Sequence, residues 1–361
     1  MKIALFGLPQ TGKSTIFGLL TKAKPAEIKY DQTGSPMPRI GVVSVPDIRL
    51  DFLNSIYKPK KVVYAQIEYT DIVGLKFGDV KENRLLAYLR QSDVLAHVVR
   101  FFDNEAVFHS AGANDPLRDA LKMEEELQLS DLILMEGKFE RLRKSVMKTK
   151  SSEDELQLAT LEKIKPIVEQ GKPIREAELK PDEEKSIRSF GFLSQKPLQV
   201  IVNIDEKQIP SAESMIMEKM KAFSSKPKVS ISYICAPIEA EIADMSNNDA
   251  SVFMADYGLK DLGYERLIHN SYDLLGLISF LTVGEDECRA WPVPRGVKAN
   301  EAAGLIHTDI QRGFIAAQVM KYNDFKIQPD INVLKQKGMV RVEGRDYIVQ
   351  DGDIIEYRFN V

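Results

Sequence analysis

Cysteine is nearly missing from this chain: 361 residues hold two, Cys235 and Cys288, with no short spacing between them. That argues against a disulfide framework or a zinc site, and a reduced cytosol is the simplest compartment. Histidine is as scarce, at four, and none stands at metal-ligand spacing. No charge of one sign dominates, since the formal net is −4, so nothing global marks a nucleic-acid or membrane protein. Any basic patch must be local. Long apolar runs are lacking too: the longest, Leu274 to Val283, is too short to span a bilayer. The first residues run directly into a strand pattern, leaving no room for a signal peptide, so a cytoplasmic protein is expected. Internal repeats and low-complexity segments are absent. A chain of this length is expected to form two or three domains with a substantial core.

What is present begins at residues 3–17. Ile3 to Phe6 reads as a short buried strand, followed by Gly7-x-x-x-x-Gly12-Lys13-Ser14 and the apolar start of a helix. This is a phosphate-binding loop in the context it needs. The glycines let backbone N–H groups turn inward around phosphates, with Gln10, Thr11 and Thr15 completing the cradle. Lys13 reaches the β/γ-phosphate oxygens, Ser14 ligates Mg²⁺, and the helix aims its positive end at the anion. A second signature, Asp71-x-x-Gly74, stands at a strand end. The carboxylate serves Mg²⁺ there and the Gly74 N–H meets the γ-phosphate. By itself the pattern reads better as a turn; the phosphate loop upstream and the strand before it favour the functional reading. The base-reading candidate is Asn203-Ile204-Asp205-Glu206. A guanine site uses Asn-Lys-x-Asp, whose carboxylate accepts the ring N–H and the exocyclic amine together. Glu206 is one methylene longer and Ile204 replaces the lysine, so adenine fits better.

Taken in order, strands are expected at Gly41 to Pro46, Lys61 to Thr70 and Val94 to Phe101, with helices over 47–57, burying Ile48, Leu50, Leu53 and Ile56, and over 82–91. Alternation of this kind behind a phosphate loop predicts a mostly parallel α/β sheet. From residue 116 strand signals vanish. Leu132, Met135, Phe139, Leu142 and Val146 form a heptad seam, and Ser152 with Glu155 reads as a capping box opening a second helix that aligns Leu158, Leu161, Ile164 and Val168. An inserted antiparallel helical hairpin follows. The sheet resumes with strands at 198–203 and 229–235. From residue 277 strands surround one helix, Ala299 to Arg312, as a small β-grasp domain. The expected boundaries are 1–112 with 193–276 for the nucleotide-binding domain, 113–192 for the helical insertion and 277–361 for the last domain.

The combination of Gly7-Leu-Pro-x-x-Gly-Lys-Ser-Thr15, Asp71-Ile-x-Gly-Leu75, His97-Val-Val-Arg100 and Asn203-x-x-Glu206 resembles the YchF family of Obg-like ATPases. So do Cys235-Ala-x-Ile-Glu-Ala-Glu-Ile242, Arg289-Ala-Trp291, Ile306-His-Thr-Asp309, Gly313-Phe-Ile315 and Glu343-Gly-x-Asp-Tyr-Ile-Val349 through Asp351-Gly-Asp353. The resemblance covers essentially the whole chain. It implies a G-type P-loop domain, an inserted coiled coil and a C-terminal TGS domain. It also implies preference for ATP over GTP through Asn-x-x-Glu, a need for Mg²⁺, and association with ribosomes. Cys235 and Ala236 match the run that adjoins the base pocket in relatives. His109, beyond the His-Val-Val-Arg strand, matches a family histidine and suits a water-positioning role, because Leu75 stands where Ras-type GTPases place the glutamine that orients water. An ordinary loop histidine is the plainer alternative, and His97 reads as a core residue.

Two departures stand out. In the first switch Ser35 falls at the position of the family's metal-closing threonine, without the surrounding motif. In the second, 76–81 replaces a longer glycine-rich segment. The expected function is therefore a Mg²⁺-dependent ATP-hydrolysing switch acting with ribosome or RNA, the alternative being a nucleotide-dependent adaptor with little turnover. Lys138, Arg141, Arg143, Lys144, Lys148 and Lys150 against Glu140 give the hairpin tip a basic surface, with Lys58, Lys60 and Lys61 on the same side. It suits RNA phosphates, although a solvated helix face is the simpler account.

Overall fold

Strands rich in Val, Ile and Leu, separated by helices, are what a sheet covered on both faces demands, and this pattern recurs through much of the chain. The computed structural model describes residues 1–23, 29–30, 32, 36–72, 75, 77–78, 85–104, 112, 114–149 and 151–360. Twelve strands are named among them: β1 (Lys2–Phe6), β2 (Arg39–Ser44), β3 (Lys61–Val63), β4 (Gln66–Asp71), β5 (Val94–Phe101), β6 (Leu198–Ile204), β7 (Val229–Ile234), β8 (Leu277–Thr282), β9 (Glu287–Pro294), β10 (Phe314–Lys321), β11 (Arg341–Glu343) and β12 (Asp353–Phe359). The chain divides into two compact units, residues 1–43 with 68–274 and residues 44–67 with 275–361.

The first unit holds a sheet in the order β2-β4-β1-β5-β6-β7. β1 pairs in parallel with both β4 and β5, and β5-β6 and β6-β7 are parallel as well. β6 is buried at every position and β5 at all but its last, which explains their unbroken apolar runs. Because β1 lies between β4 and β5, the loop leaving β1 emerges among the carboxyl ends of parallel strands, where α/β sheets bind ligands. Helices Pro116–Thr149 and Ser152–Glu169 form the expected hairpin. Met135, Phe139 and Leu142 from one meet Leu161, Ile164 and Val168 from the other in one buried cluster. The cap lies one residue earlier than expected: Ser151, not Ser152, accepts the Asp154 N–H.

In the second unit the order is β11-β10-β12-β8-β9-β3. β8 and β12 are parallel neighbours flanked by antiparallel pairs, as a β-grasp core requires. Three expectations change here. The single strand over 61–70 is two, because β3 pairs in parallel with β9 while β4 joins the other sheet, so residues 44–67 group with the C-terminal unit. The helix 299–312 is also two, Ala299–Ile306 and Thr308–Arg312, parted by His307 in extended conformation with its Nδ1 accepting the Asp309 N–H. In helix Ile48–Tyr57 Leu50 and Leu53 are buried, with Phe52 and Tyr57 packed beside them, whereas Ile48 is 77 % and Ile56 41 % exposed.

Candidate nucleotide site

The turn after β1 is shaped by two glycines that no other residue replaces. A Cβ on Gly7 would approach the Val98 carbonyl oxygen to 2.4 Å, and one on Gly12 the Asn203 Nδ2 to 2.2 Å, each at positive φ. Between them Gln10 adopts φ 63°, a left-handed conformation that costs a non-glycine residue energy and marks a functional turn. The helix Lys13–Thr21 then starts at Gly12 with no side chain capping it and no acidic residue in its first turn. Its leading N–H groups and positive dipole end are left for an external anion. Ser14 and Thr15 are exposed at that end, whereas the buried Thr11 hydroxyl donates to the Leu8 carbonyl at 3.1 Å.

Lys13 is only 5 % exposed, and its ammonium donates to the same Leu8 carbonyl. Burial pulls its pKa down to about 8, partly offset by the charge of Asp71. A buried cation with one neutral acceptor is under-solvated, and a polyphosphate supplies what it lacks. The register of β1 with β4 sets Asp71 opposite Leu5, at the head of the loop. Asp71 is 0 % exposed, and its Oδ1 finds no hydrogen-bond donor among the described residues. Its Oδ2 is held by Arg39, through Nε at 3.1 Å and also through Nη2. An orphaned carboxylate oxygen beside a hydroxyl-bearing helix start fits a hard cation such as Mg²⁺. Among the described residues no three His, Cys, Asp or Glu side chains gather into a metal cluster. Arg39 went unseen in the sequence: it precedes the expected strand, and its partner is 32 residues away.

On the other side of the loop, Asn203 ties two segments together. Its Nδ2 donates to the Thr11 carbonyl at 3.1 Å and its Oδ1 accepts the Ala236 N–H at 3.2 Å, which couples the phosphate loop to the turn after β7. Ile204, placed with the nucleotide-binding residues by its motif position, is 1 % exposed and its side chain packs in the sheet core. Glu206 and Asp205 lie close enough to Cys235 to raise its pKa, although burial is the larger cause and pushes the thiol up to about 11. Burial of this kind is that of a packing residue. Glu239 of the same run accepts the Gly263 and Tyr264 N–H groups at 2.9 Å each, seating the start of helix Gly263–Leu274.

Leu75 is fully buried in the sheet core and cannot orient water. Ser35, Gly74, His109 and Lys150 lie outside the described residues. Of the tip residues, Lys138 sits over the Phe190 ring at 4.8 Å and Arg143 over Phe139 at 5.5 Å. Lys58, Lys60 and Lys61 belong to the other unit, where Lys60 pairs with Asp286 at 2.8 Å.

His97 is a core residue, stacked on Phe6 at 4.9 Å between ring centroids. Burial, then the Lys13 charge, push its imidazole down to about 3. The unfolded chain takes up a proton near pH 6.5 that the folded one refuses, so stability is lost as pH falls from there toward 3, at up to about 1.4 kcal/mol per unit. His97→Leu is expected to flatten the fall in unfolding free energy between pH 6.5 and 4.5, measured in denaturant; an equal slope in both proteins would show that this imidazole is not a source of acid lability.

Comparison with known proteins agrees with this geometry. Residues 277–360 match the YchF-GTPase_C family, described as "Protein of unknown function (DUF933)", and residues 2–138 match the family "50S ribosome-binding GTPase". "Ribosome-binding ATPase YchF" of Haemophilus influenzae is 39 % identical over 100 % of this chain and 99 % of that protein. "Obg-like ATPase 1" of Oryza sativa subsp. japonica is 36 % identical over 100 % and 92 %. The solved structure of the Schizosaccharomyces pombe YchF GTPase superposes with a TM-score of 0.85 at 29 % identity, covering 99 % of this chain and 97 % of its own. With similarity running the full length, the chain belongs to the YchF family of P-loop nucleoside triphosphatases.

Proposed function

We propose that this chain is a Mg²⁺-dependent ATPase of switch type that works in the cytoplasm with the ribosome, taking ATP in preference to GTP. The observation that carries the reading is the uncapped helix start beside an under-solvated Lys13 and a half-orphaned Asp71. The helix N–H groups and Lys13 bind the phosphates and neutralise charge as it develops on the transferred γ-phosphoryl group. Ser14 and Asp71, with Ser35, would hold Mg²⁺, which when bound screens the β- and γ-phosphate oxygens. Gly74 supplies its N–H to the γ-phosphate. Since Leu75 is apolar and turned inward, His109 is proposed to position the attacking water. Glu206 accepts the adenine amine, while Asn203 keeps loop and pocket in register. The names of the relatives support the ribosome as partner, and Lys138, Arg141, Lys144 and Lys148 near the hairpin end provide cationic side chains for RNA phosphates.

Single-turnover hydrolysis of ATP with and without ribosomes tests this. Product above a Lys13→Ala control, rising when ribosomes are added, is the expected result. No product above that control would leave the second reading, a nucleotide-dependent adaptor. That reading is favoured by Arg39 already holding Asp71 and by the burial of Leu75.

A further inference from the structure

Tyr257 carries no motif, yet its phenol Oη donates to Glu206 Oε1 at 2.9 Å across 51 residues of sequence. It closes the helix Asn247–Asp256, whose end is fixed by the Gly258 N–H on the Ala255 carbonyl at 3.1 Å and the Leu259 N–H on the Met254 carbonyl at 2.8 Å. Phe253, one turn back, meets the Tyr257 ring at 4.8 Å, and Phe253, Met254, Tyr257 and Leu259 all rest on the sheet core. The backbone that carries Glu206 is held as well, although its side chain is exposed. Asp205 before it accepts the Lys207 N–H at 3.2 Å and donates its own N–H to Gln208 at 2.7 Å. The ring thus presents its hydroxyl to the carboxylate of an exposed side chain on a held turn. The bond to Glu206 also raises the phenol's pKa, which keeps the hydroxyl a donor at neutral pH.

Guanine offers two donors on one edge, the N1–H and the 2-amino group, and a carboxylate reads them as a fork, one oxygen to each. Adenine has an acceptor at N1 and a single donor group, the 6-amino, so one carboxylate oxygen satisfies it. We infer that Tyr257 is a specificity-determining positioning residue: its hydroxyl takes one acceptor position on Oε1 and so orients the Glu206 carboxylate to meet a single amine, as adenine presents, and not the two-donor edge of guanine. This rests on Glu206 facing the base.

Competition of ATP and GTP against a fluorescent nucleotide, using the full chain and its Tyr257→Phe, Tyr257→Leu and Glu206→Ala variants, decides the matter, with thermal melts confirming that each folds. In both Tyr257 variants GTP is expected to gain about tenfold relative to ATP, the worth of one net hydrogen bond. An unchanged ratio, or parallel weakening of both nucleotides as a merely structural role would produce, overturns the role of Tyr257. If Glu206→Ala keeps the wild-type ratio, the base-facing reading of Glu206 is itself wrong and the inference falls with it. If Glu206→Ala shifts the ratio and the Tyr257 variants do not, only the inference falls.

Discussion

Lys13→Ala is expected to weaken ATP binding about a hundredfold or more while the free protein keeps its melting temperature. Charge-assisted hydrogen bonds to a phosphate contribute about 3 kcal/mol when desolvated, which corresponds to two orders of magnitude in Kd. The free protein loses much less. Burial already draws the Lys13 pKa down to about 8, so the ammonium is poorly accommodated until an anion reaches it, and the Leu8 carbonyl that accepts its hydrogen bond also serves Thr11. Alanine is a good residue for the first turn of a helix and leaves the glycines untouched. Calorimetric titration of ATP with Mg²⁺ present, set beside a thermal melt, separates loss of binding from loss of fold. Wild-type affinity in the variant would remove the anion cradle, and the reading of Asp71 and Glu206 depends on that cradle.

What could be read in the sequence was local. The phosphate loop is a contiguous run whose spacing is itself the geometry, and the hairpin seam of Met135, Phe139 and Leu142 is a period within one helix. Both were legible because neighbours along the chain determine them. The errors fall where distant partners decide. Lys61–Val63 looks continuous with Gln66–Asp71, and only its pairing with Glu287–Arg289 shows that it belongs to another sheet. Ile48 and Ile56 satisfy helical spacing, but the face that packs inward carries Leu50 and Leu53 with Phe52 and Tyr57, and so is turned away from them. The site divides in the same way. Lys13, Ser14 and Asp71 are found from motifs, whereas Arg39 and Tyr257 act on Asp71 and Glu206 from elements with no signature of their own. Asn203 is also found from its motif, and the structure adds that its amide spans two loops.

Arg39→Met is expected to cost the free protein about 3 kcal/mol and to lower the Mg²⁺ concentration needed for half-maximal ATP binding. Removing one partner of a buried ion pair leaves the other charge uncompensated, and Asp71 is 0 % exposed against 19 % for the Arg39 side chain. The guanidinium is further held over the Phe17 ring at 5.0 Å, so its position is set from two sides. Methionine keeps most of that apolar stem and deletes only the charge. Without Arg39 the carboxylate loses its hydrogen-bonded cation and keeps only the longer-range charge of Lys13, so Mg²⁺ with ATP is expected to restore more stability to the variant than it adds to the wild type. A second variant, Asp71→Asn, removes the other charge, and the double variant is expected to lose less than the sum of the two singles because the pair is then gone as a unit. Matching Mg²⁺ midpoints in wild type and Arg39→Met would mean that Arg39 keeps Oδ2 while the metal uses Oδ1 alone. A lowered midpoint means that the two cations compete for one carboxylate, and that this arginine sets how much magnesium the site requires.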